Sequence, residues 1–313
     1  MEKAIKYYIP NTDKGIVGNL SKRLFTRSVP KFPRAIQIQT QTGCNGACIF
    51  CPYKDSYDKV PKGKMSDELF NKIVAEIAQY NMTKRISPYL MNEPFLDKTI
   101  LDKSRYIKQL VPASKVVATT NAGKLTREIV DDIVRDNPFR AIYISMQGIE
   151  KVPYETSMQG SLEFEETLEN VEYLVEQQKK HLPNLKIVVT MIKTSMINAE
   201  AAVKHWLAKG IESKYTLLEN RGGNLSDFDK INLENKQQHI HCSRLFKQAF
   251  ILFNGDMLLC CTDYYKTMVL GNVLESSIYD VWNSKKAVEI RKNFLDGNLK
   301  DNPLCASCYK SCT

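Results

Sequence analysis

The chain has 313 residues, of which 43% are hydrophobic, and it carries a formal net charge of +9 at pH 7. This length predicts two packed units with a sizeable core. No stretch reaches the roughly 20 apolar residues of a membrane span, and no charged start precedes an apolar signal segment, so we expect a cytoplasmic protein with no membrane partner. The basic residues are scattered in short pieces without interleaved aromatics, which disfavours a nucleic-acid partner.

Nine cysteines would indicate disulfides in a small secreted protein, but this chain is large and spaces them in metal-ligand groups. Cys44, Cys48 and Cys51 form a CxxxCxxC loop after a probable strand, since residues 35–40 alternate with a period of two. Three thiolates suit a [4Fe-4S] cluster with one open iron, whereas a closed cluster takes four protein ligands and structural zinc usually pairs two CxxC hooks. The loop therefore predicts an open iron-sulfur site, and zinc-binding or merely buried thiols are disfavoured.

Residues 1–33 show no sustained period and are interpreted as an N-terminal extension. From residue 34, strand and helix patterns alternate through six units of about 30 to 35 residues each, which predicts an α/β fold with a parallel sheet. After the first strand, further strands are predicted at residues 86–90, 115–119, 141–145, 186–191 and 215–218. Helices are predicted at 98–110 and 199–209, after Ser66, and around the apolar positions that start at 129 and 164.

The cysteine loop resembles the signature of the radical S-adenosylmethionine (SAM) superfamily, CxxxCx(aromatic)C, with Phe50 in the aromatic position. The resemblance implies a partial (β/α)6 barrel in which the open iron binds SAM, and SAM is then cleaved to a 5'-deoxyadenosyl radical. It also implies an electron donor such as flavodoxin or ferredoxin, and it places Phe50 and Tyr53 beside the cofactor.

Small polar residues follow successive predicted strands, at the end where barrels collect their chemistry. Met91-Asn92-Glu93-Pro94 resembles the Gly-Gly-Glu-Pro motif of the family, although Asn92 stands where a glycine is usual. The resemblance implies that Glu93 receives the SAM ammonium group, whereas an Asn-Glu-Pro tripeptide alone is more often a plain turn. It also assigns SAM contacts to the ends of the third and fourth strands, at Thr120, Asn121, Ser145 and Gln147.

The C-terminal third holds the other six cysteines. The order Cys242, Gly255-x4-Cys260 and Cys305-x2-Cys308 resembles the twitch form of the SPASM domain, which implies one auxiliary [4Fe-4S] cluster on these four cysteines and two clusters in all. The predicted domains are a barrel over residues 34–235 and a small twitch-type iron-sulfur domain over residues 236–313. A second auxiliary cluster is disfavoured because it would need about seven cysteines, and a zinc ribbon is the alternative that the last hook alone would permit.

Four segments, 220–224, 260–263, 269–273 and 278–283, resemble family members of aminoglycoside pathways, the 2-deoxy-scyllo-inosamine dehydrogenase of butirosin synthesis and the neomycin-pathway epimerase. The resemblance implies oxidation or stereo-inversion at a carbon of a sugar, aminocyclitol or other polyol. It makes Arg221 a candidate contact to the substrate hydroxyl, although an arginine before a Gly-Gly turn also fits a purely structural loop.

An epimerase needs a thiol that returns a hydrogen atom to the substrate. Cys261 is the first candidate because it adjoins an expected ligand yet is surplus to the four, and Cys312 is the second. A free buried cysteine is usually a small hydrophobic residue, so oxidation and inversion both stay open. Two other functions are less favoured by the sequence. A maturase of ribosomal peptides is disfavoured because no recognition domain is visible before residue 34. A non-catalytic iron-sulfur carrier or scaffold is disfavoured because it would need no open iron.

Overall fold

The computed structural model describes residues 29–238 and 242–312, so most of the predicted N-terminal extension lies outside the described residues. The strands, in chain order, are β1 (Ala35–Ile38), β2 (Arg85–Ser87), β3 (Lys115–Thr120), β4 (Ala141–Ser145), β5 (Lys186–Lys193), β6 (Glu212–Leu217), β7 (Asn235–Gln238), β8 (Gln248–Ile251), β9 (Asp256–Leu258), β10 (Val269–Asn272) and β11 (Tyr309–Cys312).

The helices alternate with the strands through β6 and then follow them in the C-terminal region. They are α1 (Tyr53–Ser56), α2 (Asp67–Tyr80), α3 (Ile100–Leu110), α4 (Arg127–Arg135), α5 (Lys151–Met158), α6 (Phe164–His181), α7 (Ala199–Ala208), α8 (Phe228–Ile231), α9 (Ser243–Lys247), α10 (Ile278–Trp282), α11 (Lys285–Leu295) and α12 (Pro303–Ala306). None of these helices is long and apolar enough to cross a membrane.

Within the described residues, the main sheet has nine strands in the order β10-β9-β8-β1-β2-β3-β4-β5-β6. Pairing is parallel from β8 through β1 to β6, and β9 and β10 add antiparallel strands at one end. The predicted α/β alternation is therefore confirmed. Because all six βα units run the same way, the polar residues that follow β1 to β4 meet at one edge of the sheet.

Helix α2 shows how a crossover helix covers the sheet. Ser66 caps its first turn as predicted, since the hydroxyl accepts a hydrogen bond from the Leu69 N–H at 3.2 Å. The helix ends at Asn81, whose φ of 48° is left-handed. Ile73 and Ile77 on the inner face are 1% and 0% exposed, and burial of each such side chain contributes about 1.5–3 kcal/mol to folding.

Two elements differ from the sequence prediction. Helix α5 was not predicted, because it buries only two large side chains, Tyr154 and Met158, and leaves Val152 exposed, so its apolar period is short. Strand β6 begins at Glu212 rather than at residue 215, because its first half is polar and is held by pairing with β5.

The C-terminal region is joined to the barrel by backbone pairing. Strand β8 pairs in parallel with β1 over four residues, from Ala35 with Gln248 to Ile38 with Ile251. Beyond it, a second core forms around Leu245, Phe246, Leu259, Phe294 and Leu304. This core packs against three of the C-terminal cysteines, at positions 242, 260 and 305. The predicted boundary between residues 235 and 236 stays a prediction.

Candidate functional site: two cysteine groups and the space between them

The loop that carries Cys44, Cys48 and Cys51 is held by the last turn of α5 and by the segment that follows it. The N–H of Ile49 donates to the Ser157 carbonyl at 3.0 Å, and the N–H of Ser161 donates to the Asn45 carbonyl at 2.8 Å. Gly160 lies directly against this loop and has a φ of +75°. A Cβ at this position would stand only 2.6 Å from the backbone oxygen of Asn45. A helix that the sequence did not reveal therefore fixes the shape of the loop.

The three thiols of this loop face one another. Burial, with smaller contributions from the charges of Glu93 and Cys51, raises the pKa of Cys44 to about 12. Burial also raises the pKa of Cys48 well above its usual value, with added repulsion from Cys51 and Cys44. Such thiols ionise only when a cation replaces the lost hydration, and soft thiolate sets are those that hold iron-sulfur clusters. The residues present fit a cluster in this loop.

Glu93 stands at the centre of a buried network between β2, β3 and the cysteine loop. Its backbone N–H donates to the Gly43 carbonyl at 2.9 Å. Its carboxylate accepts from the Thr120 hydroxyl at 2.6 Å and from the Asn121 N–H at 2.8 Å. Burial raises the pKa of Glu93 to about 7, against the opposing effect of these hydrogen bonds. Thr120 and Asn121, at the end of β3, therefore contact Glu93, which follows β2. Residues at the ends of neighbouring parallel strands are expected to meet in this way.

Asn121 extends this network to the cysteines. Its side-chain amide donates to the Asn45 side-chain oxygen at 2.9 Å and lies 3.8 Å from the Cys44 sulfur. The expected SAM-binding residues at the ends of β2 and β3 thus lie beside the first cysteine group. Their contact with SAM itself stays a prediction.

The other expected cofactor residues, Gln147, Ser145 and Asn92, have contacts of their own within the protein, and their contact with SAM also stays a prediction. The side chain of Gln147 is committed to β5, because it donates to the Ile192 carbonyl at 2.9 Å and accepts from the Ile192 N–H at 2.7 Å. Ser145 ends β4 opposite Thr190. In Asn92 the oxygen caps the Leu90 N–H at 3.1 Å, while the buried side-chain nitrogen has no partner among the described residues.

The two aromatic residues of the loop have separate environments. Phe50 is 7% exposed and belongs to the main core. Tyr53 starts α1 and lies with its ring centroid 5.0 Å from that of Tyr57, on the wall of a cavity described below.

The second cysteine group joins Cys242, Cys260, Cys305 and Cys308. Burial raises the pKa of Cys305 and of Cys308 to about 12, and the charges of Cys260 and Cys242 add to both shifts, so the four thiols are neighbours. No three His, Cys, Asp or Glu side chains within residues 29–238 and 242–312 are arranged to hold a single metal ion. That finding bears on mononuclear sites alone, since the ligands of a four-iron cluster stand farther apart.

Cys261 adjoins this group through a hydrogen bond with Cys260, but it packs in a different apolar cluster. A hydrogen bond with the Cys261 thiol, together with nearby Arg244, lowers the pKa of Cys260 to about 6 against the effect of burial. The same bond and burial raise the pKa of Cys261 well above its usual value. Cys261 packs against an apolar cluster with Met91 and lies near enough to Arg221 to feel its charge. The structure does not describe the side chain of Cys312, the second thiol candidate, which ends β11.

Arg221 and Tyr264 lie between the two cysteine groups. The Tyr264 hydroxyl is 3.4 Å from the Cys51 sulfur, and its ring stands near enough to Arg221 and Cys261 for their charges to shift its pKa. Arg221 has a left-handed φ of 54° and a buried Nε with no hydrogen-bond partner among the described residues. Sequence reasoning missed Tyr264, because one tyrosine in a loop carries no motif that would mark it.

Two family models match the chain: the radical SAM superfamily over residues 38–204 and the iron-sulfur cluster-binding SPASM domain over residues 242–312. This chain belongs to the radical SAM superfamily. It is a radical SAM enzyme that uses SAM and an iron-sulfur cluster, and it contains a SPASM iron-sulfur domain.

A relative, the S-adenosyl-L-methionine-dependent 2-deoxy-scyllo-inosamine dehydrogenase of Niallia circulans, is 21% identical over 287 residues, which cover 87% of this chain and 91% of the relative. Among solved structures, BtrN in complex with AdoMet and 2-DOIA has a TM-score of 0.64 at 18% identity, covering 88% of this chain and 92% of that chain. SuiB of Streptococcus suis bound to precursor peptide SuiA has a TM-score of 0.64 at 16% identity, covering 91% and 74%. These likenesses confirm the predicted fold of a radical SAM sheet with a C-terminal SPASM region.

Proposed function

We propose that this radical SAM enzyme oxidises or inverts a hydroxyl-bearing carbon of a sugar, aminocyclitol or other polyol. The observation that carries the proposal is the buried, unpartnered Nε of Arg221, which stands between the two cysteine groups beside Tyr264 and Cys261. A buried guanidinium N–H without an acceptor is costly, and a substrate hydroxyl would supply that acceptor. The name of the Niallia circulans relative, an aminocyclitol dehydrogenase, agrees with such a substrate.

The cofactor assignment has two parts. Cys44, Cys48 and Cys51 would hold the [4Fe-4S] cluster that binds SAM, and the four C-terminal cysteines would hold one auxiliary [4Fe-4S] cluster. When bound, these groups supply a radical that takes a hydrogen atom from carbon and an acceptor for one electron. Glu93, Thr120 and Asn121 would bind SAM, and a flavodoxin or ferredoxin would deliver the reducing electron.

The remaining roles belong to side chains around the space between the groups. Arg221 would donate a hydrogen bond to the oxygen of the reacting alcohol and hold its carbon in one orientation. Oxidation then requires that the hydroxyl proton leave, whereas inversion requires a hydrogen atom from the opposite face. The thiol of Cys261 is the candidate donor because it lies near enough to Arg221 to feel its charge and is not one of the four expected ligands.

The test is turnover of reconstituted, reduced protein with SAM in D₂O, using 2-deoxy-scyllo-inosamine, myo-inositol, glucuronate and glucose 6-phosphate as probes. Oxidation gives a product that is lighter by two hydrogen atoms and carries no deuterium, while inversion gives a product with one deuterium from the exchanged thiol. 5'-Deoxyadenosine formation without change in any polyol, but with change in a ribosomal precursor peptide, would overturn the polyol assignment in favour of a maturase.

Two variants test the named residues. We expect Arg221→Gln to lower polyol-dependent 5'-deoxyadenosine formation by at least about tenfold, since a hydrogen bond to a charged group contributes about 1.5–3 kcal/mol. Arg135→Gln is the matched control, because Arg135 is exposed on α4 and pairs only with Asp132 among the described residues. Cys261→Ala should abolish deuterium incorporation if inversion is the reaction, and should leave the oxidised product if it is not.

A further inference from the structure

A cavity opens between the segment after the cysteine loop and the turn that carries Tyr264. Its lining includes Gln39, Tyr53, Tyr57, Met91, Tyr264 and Lys266. The two walls also touch at the outside, where the Lys59 ammonium lies 5.6 Å from the centre of the Tyr265 ring. Since Tyr264 is shared with the space beside Arg221, the cavity adjoins the proposed reaction site.

Lys266 is held in this cavity by an unusual turn. Its φ of 59° is left-handed, and its N–H donates to the Asp263 carbonyl at 3.2 Å. The buried carboxylate of Asp263 fixes the turn, because it accepts from the Thr267 N–H and hydroxyl, each at 3.0 Å, and from the Met268 N–H at 2.7 Å. A strained residue held by a network of this kind is a feature of functional sites.

The ammonium of Lys266 lacks a carboxylate partner among the described residues. It contacts the sulfur of Met91, and a thioether is a weak acceptor. The acidic charge that acts on it is that of Asp263, whose carboxylate oxygens accept hydrogen bonds from Thr267 and Met268. Burial lowers the pKa of Lys266 to about 8, although the charge of Asp263 opposes this shift.

We propose that this cavity binds an anionic group of the substrate, a carboxylate or a phosphate, with Lys266 as its donor. The inference rests on the proposed function and narrows it to acidic polyols. A half-buried ammonium with no carboxylate in contact is stabilised by an anion, and a cationic aminocyclitol would be repelled there. The buried side-chain oxygen of Gln39, which has no hydrogen-bond partner among the described residues, accepts a neighbouring hydroxyl of the same substrate.

The experiment is isothermal titration calorimetry of the reconstituted full chain with SAM bound and without reductant. The probes are glucuronate, its uncharged analogue glucuronamide, glucose 6-phosphate and inorganic phosphate. We expect one of the acidic sugars to bind at least about tenfold more tightly than glucuronamide. The affinities of glucuronate and glucose 6-phosphate, compared with each other, show whether the site prefers a carboxylate or a phosphate. Equal binding of glucuronate and glucuronamide, with no phosphate binding, would overturn the inference.

Lys266→Met should abolish the preference for the anion, and Lys54→Met, which removes an exposed lysine from the same wall, should keep it. The dissociation constant for SAM is measured in both variants. A weakened SAM complex with unchanged sugar binding would place Lys266 on the SAM carboxylate and contradict the proposal. Lys266-dependent binding of inorganic phosphate without binding of either sugar acid would support the anion site while contradicting the polyol assignment.

The melting temperature of the variants without probe separates a loss of the anion site from a loss of folding. Because methionine removes a half-buried charge that has no carboxylate in contact, Lys266→Met should melt at or above the temperature of the wild type in the absence of probe. A lower melting temperature, repeated in Lys266→Gln, would show that the ammonium already has its partner within the protein and would overturn the inference.

Discussion

The hydroxyl oxygen of Tyr264 lies 3.4 Å from the sulfur of Cys51, so a side chain of the C-terminal region contacts an expected ligand of the first cluster. Hydrogen bonds to cluster sulfurs raise the reduction potential, because they stabilise the added negative charge. We therefore expect Tyr264→Phe to shift the potential of the SAM-binding cluster to a more negative value, as measured by EPR-monitored redox titration. Tyr265→Phe is the control, and equal potentials in all three proteins would contradict the assigned contact.

Gly160 provides a test of how the cysteine loop is supported. An alanine there would be strained by its φ of +75°, and its Cβ would stand 2.6 Å from the Asn45 oxygen. Gly297 has a similar φ of +72° with nothing within 4 Å, so Gly297→Ala measures the backbone strain alone, which is about 1–2 kcal/mol. Gly160→Ala should destabilise the protein more than this and should lower the iron bound after reconstitution. If Gly160→Ala and Gly297→Ala lose equal amounts of unfolding free energy, measured in urea, the cysteine loop moves to accommodate the new methyl group without a further cost.

Iron content tests the assignment of two cluster sites. We expect about eight irons per chain in the reconstituted wild type and about four in a variant with Cys44, Cys48 and Cys51 changed to alanine. A Cys305→Ala, Cys308→Ala variant should also fall toward about four, yet keep the SAM-dependent EPR signal that the first variant loses. About four irons in the wild type would contradict the auxiliary cluster.

Glu93 predicts how SAM binding depends on pH. Burial raises its pKa to about 7, so the group favours the folded state most below its unfolded value near 4.5 and loses that contribution as the pH rises through 7. If its carboxylate receives the SAM ammonium, the dissociation constant for SAM should rise by up to about tenfold per pH unit below 7. Glu93→Gln should bind weakly at every pH. Titration from pH 5.5 to 8.5 checks this, and a flat wild-type profile would contradict the assigned role.

Much of the fold was predictable because its signals are local. Each signal is encoded by a few neighbouring residues. These signals are the cap at Ser66, the alternation that ends before Cys44 and the apolar helix faces. The parallel pairing of β1 with β8 was not predictable in this way, since it joins residues more than two hundred positions apart. Helix α5 also escaped, because its role is to supply backbone partners, which any residue type can provide.

The same distinction between local and long-range signals applies to the candidate site. The cysteines and the strand-end residues Glu93, Thr120 and Asn121 belong to spaced motifs, so their neighbourhood could be anticipated. The contact of Gln147 with SAM stays a prediction, and the hydrogen bonds of its amide to β5 were not foreseen. Tyr264 and Lys266 could not be foreseen, because their importance comes from a turn fixed by Asp263 and from walls contributed by distant segments.

The pairing of β1 with β8 has a consequence for biosynthesis. While the chain leaves the ribosome, the strand that precedes the first cysteines presents an unpaired edge until residues near 250 have emerged. The nascent barrel is therefore exposed to wrong strand partners for most of its translation. Both cysteine groups reach their final surroundings only when that last parallel partner has docked, so insertion of iron into the first group before synthesis is complete would meet an unfinished binding site.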